Sequence, residues 1–192
     1  MPARIKILRY VWEAGWSGAR SVPPWPDGAF AEIFQEANGW SVRDFWRRST
    51  RGRLDPEFDI APWGILYGRS HEALRDDRGG IIEACRRQAA ADGMALAGYR
   101  HVIAFVHEPP VDTGTVGGDA VLDQAAVLID RYHHQIGRLL GVEHPPGDDT
   151  CVMSRPLSAA PAGTAVLPGV ELWHGGRRLC DACRVRTPRP RS

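Results

Sequence analysis

The sequence predicts an α+β domain split around a cleft. Three observations carry that reading. The run "VIAFV" (102–106) has the continuous apolar character of a strand buried on both faces. Apolar residues recur at helical spacing in "GGIIEACRRQAAADG" (79–93) and "DAVLDQAAVLIDRYHHQIGRLLG" (119–141). Gly141 is then placed to end or redirect the second helix, and a short terminal lobe follows it.

The elements follow in order. "IKILRYVW" (5–12) reads as a first strand, its apolar residues dense and loosely alternating. "SVPPWPDG" (21–28) is a proline-stiffened loop, and "AFAEIFQEA" (29–37) a short helix closed by Asn38-Gly39. Ser41, with Asp44 three residues on, resembles a capping box opening a second helix. Residues 51–68 read as strand segments broken by turns at Asp55-Pro56 and Pro62. In the helix over 79–93, Ile81, Ile82, Cys85 and Ala89 share an apolar face, which puts Cys85 in the core. "YRHVIAFVHE" (99–108) is the strongest strand signal, with His107 and Glu108 expected as surface polar residues at its end. "PPVDTGTVGGDA" (109–120) is a glycine-rich loop or irregular edge, and its "GTVGG" lacks the Lys-Ser/Thr ending of a phosphate loop. Residues 119–141 form one long, mostly buried helix. The expected organisation is an N-terminal α/β subdomain over 1–141, a small C-terminal subdomain over 142–183 and a basic tail over 184–192.

Composition narrows the function. A 192-residue chain that is 43% hydrophobic can bury one core with a small appended lobe. A formal net charge of +1 makes no global electrostatic case for nucleic acid as partner. No apolar run is long enough for a transmembrane segment, and the N-terminus lacks the apolar core of a signal peptide, so a cytoplasmic protein is expected. Four cysteines are too sparse for a disulfide framework. Six of the seven tryptophans precede residue 64, which points to a core built from large rings.

The chemistry concentrates in "YHHQIGRLLGVEHP" (132–145). His134 and Arg138 are four apart and project from one helical face. His144 lies beyond the Gly141 turn and could swing back toward that face. A zinc site needs three or four converging donors. His134 and His144 supply two, but a guanidinium stays protonated and has no acceptor, so Arg138 cannot supply a third. Starting from His133 instead puts Gly137 at the i+4 position.

"HQIGRLLGVEH" resembles the metzincin zinc-protease motif H-E-x-x-H-x-x-G-x-x-H. His134, Gly141 and His144 match at the expected separations. Gln135 stands at the general-base position and Arg138 at the second zinc ligand. "CVM" puts Met153 where that superfamily has a Met-turn, a methionine beneath the metal. The likeness is closest to the archaemetzincins, in which a cysteine follows the third histidine, then C-x-M, then C-x-x-C. Here Cys151-Val152-Met153 matches C-x-M and "CDAC" matches the last pair, while Pro145 replaces the first cysteine and the gap from Met153 to Cys180 is longer.

The resemblance covers roughly residues 119–183. It implies a metzincin-like fold: a mixed twisted sheet, an active-site helix, a glycine turn and a small C-terminal lobe. It also implies altered chemistry, because glutamine lacks the basicity of glutamate and Arg138 opposes a dication. The resulting expectation is a pseudoprotease-like domain that binds a peptide, protein or small acidic ligand, with Arg138 pairing to a carboxylate. Two alternatives stand beside it. A divergent zinc-dependent hydrolase, peptidase or biosynthetic metalloenzyme could join His134 and His144 to Glu143, Asp148 or Asp149. A structural domain could simply bury His133 and His134.

Cys180 and Cys183 have the C-x-x-C spacing with which two thiolates reach one zinc ion. The same spacing also suits a disulfide or a reduced pair on a tight turn; thioredoxin-like redox chemistry lacks its strand–helix context. By resemblance, Cys151 is the third ligand of a structural Zn2+ site. Asp149, His174 or His144 would replace the donor missing at Pro145.

Overall fold

The computed structural model describes residues 2–13, 24–67, 71–107, 111–124, 129–143, 151–154, 166–167, 172–173 and 179–186. The chain divides into two compact units by its contacts. One comprises Arg4–Asp27 and Phe58–Ala125; the other comprises Met1–Ala3, Gly28–Glu57 and Ala126–Ser192.

The first unit is built on a mixed sheet. Strands β1 (Arg4–Trp12), β2 (Glu57–Leu66), β3 (His101–His107), β4 (Gly114–Val116) and β5 (Asp119–Asp123) lie in the order β2-β1-β3-β5-β4. β3 runs parallel to both β1 and β5, with Ile7 opposite Ile103 and Phe105 opposite Leu122. Both flanks of β3 are therefore paired and all seven of its residues are buried, which is why its sequence is continuously apolar and does not alternate. Helices α3 (His71–Leu74) and α4 (Arg78–Ala91) precede it in the chain. Ile81, Ile82, Cys85 and Ala89 of α4 pack on Leu8, Tyr10, Val102, Ala104 and Val121 of the sheet. Each such aliphatic side chain contributes about 1.5–3 kcal/mol by leaving water.

Arg9 is buried at 2% exposure. Its guanidinium donates to the Ala61 carbonyl, reaches Asp27 at 2.7 Å and lies 5.3 Å from the Trp63 ring centre. Trp63 Nε1 donates to the Trp25 carbonyl, and Trp25 N donates to Gln124 Oε1, both at 2.9 Å.

The second unit contains helix α1 (Asp27–Phe30), which widens into a π-turn over Ala31–Gln35, helix α2 (Val42–Ser49) and helix α5 (Ile129–Leu139). It also holds a hairpin, β6 (Val166–Leu167) with β7 (Leu172–Trp173), and a final helix α6 (Asp181–Arg186). Ser41 caps α2 as its spacing predicts: Oγ accepts from Asp44 N at 3.1 Å. The reciprocal half of the box is rearranged. Ser41 N donates to Asn38 Oδ1 at 2.7 Å, and the Asp44 carboxylate accepts from Gly39 N at 3.0 Å.

Asn38 serves both helices it separates: its side-chain amide donates to the Glu32 carbonyl of the π-turn at 2.8 Å, and its Oδ1 accepts from Ser41 N ahead of α2. Three sequence expectations are corrected. β2 continues through Pro62, because β2 is the edge of the sheet and an exposed edge position needs no N–H. Residues 111–123 contain an ordered hairpin: Val116 pairs with Asp119 across Gly117 and Gly118, whose φ values of 57° and 86° fit a two-residue turn. Finally, 119–141 is not one helix. Asp119–Asp123 is strand β5, and α5 begins only at Ile129 within the described residues. No helix among the described residues is long and apolar enough to cross a membrane.

Replacing Ser41 with Ala should lower stability by about 1 kcal/mol through loss of the cap. Urea unfolding should show a lower midpoint with an unchanged slope.

Candidate functional site

Helix α5 forms because Ile129, Tyr132, Ile136 and Leu139 give it a buried stripe. It stops by a Schellman closure. Gly141 has φ 78°, Gly141 N donates to the Arg138 carbonyl at 3.0 Å, and Val142 N donates to the Gly137 carbonyl at 2.9 Å. A glycine at this point satisfies the helix end and turns the chain.

The middle of α5 is held at His133, His134 and Gly137. His133 is fully buried and stacks on Phe45 with ring centres 4.1 Å apart. Its Nε2 donates to the Trp40 carbonyl at 3.1 Å, and its Nδ1 lies 3.5 Å from the buried Asp130 carboxylate. His133 therefore joins α5 to α2 and the segment before it. His134 Nδ1 donates to the Val152 carbonyl at 3.1 Å. A carbonyl only accepts, so Nδ1 carries a proton. At Gly137 a Cβ would fall 2.4 Å from Met153 Sδ and 2.5 Å from the Trp46 ring. The methionine lies directly against the helix backbone, and only glycine leaves it room.

Gln135 is 8% exposed, and its carbonyl oxygen is buried with no hydrogen-bond partner among the described residues. Arg138 is exposed, and no described carboxylate pairs with it. Among the described residues no set of three donors converges on His134. Glu143 is exposed and outside any such group. His144, Pro145, Asp148, Asp149 and His174 lie outside the described residues, as do Glu108 and the tail over 187–192.

The cysteines do converge. The Sγ atoms of Cys151, Cys180 and Cys183 lie within 4.8 Å of one another, and those of Cys151 and Cys183 are 3.8 Å apart. A tetrahedral ion with metal–sulfur bonds of about 2.3 Å separates its sulfurs by roughly 3.8 Å. None of the three is in a disulfide. Backbone amides aim at them: Met153 N and Cys180 N donate to Cys151 Sγ at 3.5 and 3.3 Å, and Cys183 N donates to Cys180 Sγ at 3.4 Å. Such donors favour thiolate. Burial works the other way and raises the Cys151 and Cys183 thiols, Cys183 also through its bond with Cys180. A cation at the centre would resolve that opposition by holding the sulfurs deprotonated. The cluster can coordinate a metal ion.

Cys151-Val152-Met153 therefore touches both features. Its first residue belongs to the thiol cluster, its second accepts from His134, and its third fills the space over Gly137.

One residue differs from its sequence reading. His107 is 1% exposed, because the end of β3 is paired with β1 and covered by Trp63, 6.0 Å away ring to ring. The sequence marked Gly137 only as a position without a donor and gave no sign of its packing with Trp46; a glycine inside a helical pattern was the available signal.

No family model, curated protein or solved structure matches the chain.

Gly137→Ala should cost about 1–3 kcal/mol by overpacking against Trp46 and Met153, read as a lower thermal midpoint. Burial pushes the Cys85 thiol up to about 12. At pH 8 only about one molecule in ten thousand carries its thiolate, so iodoacetamide should leave Cys85 unlabelled in the folded protein and label it in urea, as peptide mass spectrometry would show.

Proposed function

We propose that the chain is a metzincin-like domain of the archaemetzincin kind that has given up peptide hydrolysis and binds an acidic group, from a peptide, a protein or a small acid, on the Arg138 face of α5. One structural Zn2+ held by Cys151, Cys180 and Cys183 fastens the C-terminal segments to the helix. The likeness in sequence is supported by a mixed sheet, a glycine-terminated helix and a methionine packed on that helix beside its histidine.

Arg138 carries the functional reading. It occupies the position of a metal ligand, projects from the same face as His134, and is exposed without a described carboxylate partner. Guanidinium cannot ligate a metal, and its fixed charge disfavours a dication at His134. The neighbouring amide of Gln135 cannot act as general base, a role that contributes 10²–10⁴-fold where it operates, by order of magnitude. A planar cation with five donors is suited to a carboxylate.

A second reading has one observation in its favour. The His134–Val152 bond puts a proton on Nδ1, as in a histidine that binds a metal through its other ring nitrogen. A divergent zinc hydrolase or biosynthetic metalloenzyme would need a ligand set built on that nitrogen.

Metal analysis of the untagged protein separates the two. The proposal expects one zinc per chain, lost in the Cys180→Ser/Cys183→Ser variant and retained in His134→Ala. A metal that survives the cysteine changes and leaves with His134 would overturn it.

A further inference from the structure

We infer that Cys180 is an oxidation site for hydroperoxides, resolved by Cys151 into a disulfide that dismantles the three-thiol cluster and releases its metal. This rests on the proposal that these cysteines hold a structural zinc ion, and adds how that ion is let go. The three sulfurs differ in access. Cys151 is 1% exposed and Cys183 0%, whereas Cys180 is partly open to solvent. A peroxide must reach a sulfur to oxidise it, so oxidation begins at Cys180. Cys183 N donates to Cys180 Sγ at 3.4 Å, which favours the thiolate that reacts. Cys85 is enclosed in the core between the sheet and α4 and takes no part.

Cys151 and Cys183 both stand within 4.8 Å of Cys180 Sγ, but they are not equivalent. Cys151 Sγ accepts from Met153 N at 3.5 Å and from Cys180 N at 3.3 Å, so two amides support it as a nucleophilic thiolate. The second amide belongs to Cys180 itself and sets Cys151 Sγ against the backbone of the residue it attacks. Cys183 Sγ instead donates to the Glu143 carbonyl at 3.5 Å, an acceptor that favours the protonated thiol. The chemistry balances in two steps. The Cys180 thiolate attacks a peroxide oxygen, the O–O bond breaks, and a sulfenic acid and hydroxide form. The Cys151 thiolate then attacks the Cys180 sulfur, the S–O bond breaks, and a disulfide and a second hydroxide form. The two sulfurs together give up two electrons, which reduce the peroxide. The cluster falls from three thiolates to one, below what a zinc site needs from it. Cys151 is joined through Val152 to His134, so the change at sulfur also reaches α5.

The test treats the zinc-loaded full chain with hydrogen peroxide, after its zinc content has been measured beside that of Cys180→Ser/Cys183→Ser. A chromogenic chelator reads zinc release. Peptide mass spectrometry after digestion with trypsin and Asp-N endoproteinase reads the disulfide, because a cut before Asp181 separates Cys180 from Cys183. One zinc should leave per disulfide formed, and the bond should join Cys151 to Cys180. Cys183 and Cys85 should take up alkylating agent once the chain is unfolded. A thiol reductant with added zinc should restore the bound ion. Cys180→Ser should slow the loss of thiols to peroxide by about tenfold or more, since the other sulfurs are enclosed. If that variant does not fold, the mapping in the unaltered chain decides the matter without it. A disulfide between any other pair, or zinc retained in excess peroxide, overturns the inference and leaves the structural zinc in place. A chain that binds no zinc, or binds as much in the double-cysteine variant, removes the zinc reading and the inference with it.

Discussion

The contact on which the unit around α5 depends is the seat of Cys151-Val152-Met153 on the helix. Three consecutive residues do three different things. Cys151 Sγ joins the sulfurs of Cys183 in α6 and of Cys180 just before it, the Val152 carbonyl bonds the ring of His134, and Met153 Sδ rests on the backbone at Gly137. Any ion bound by the thiols is thereby coupled, through one tripeptide, to the orientation of a histidine. That coupling is local and covalent along the chain, so it needs no large interface. It also explains a glycine inside a helix, which otherwise costs about 1 kcal/mol relative to alanine: the cost is offset by the packing that the missing Cβ permits.

Around that contact, the glycine closure, the His134–Val152 bond and Met153 against Gly137 fix the end and one side of α5. Under the proposed metzincin likeness, Gln135 and Arg138 stand at the base and second-ligand positions, an amide and a fixed cation in place of a carboxylate and an imidazole. His133, by contrast, is absorbed into structure through Phe45, Trp40 and Asp130, so two adjacent histidines serve different ends.

Much of the architecture was legible because its signals are local. The buried strand β3, the apolar face of α4, the Ser41 cap and the Gly141 turn each follow from a few neighbouring residues. What was missed depends on partners distant in sequence. "DAVLD" fits a helix and a strand equally well until β3 is known to lie beside it. Pro62 reads as a break unless β2 is known to be an edge, and His107 reads as a polar surface residue unless Trp63 is known to cover it. In the site, the Cys180–Cys183 spacing marked a thiol pair by itself. The approach of Cys151, 32 residues from Cys183, is a tertiary fact, and it entered the sequence reading only through resemblance. The fit of Met153 and Trp46 around Gly137 left no pattern in the sequence beyond the glycine.

The central claim is that the thiol cluster, and not the helix, holds the metal. X-ray absorption at the zinc K-edge of the zinc-loaded full chain tests it most directly. The account predicts a first shell dominated by sulfur at about 2.3 Å. A shell of nitrogen and oxygen at about 2.0–2.1 Å with no sulfur component would contradict it and return the metal to His134.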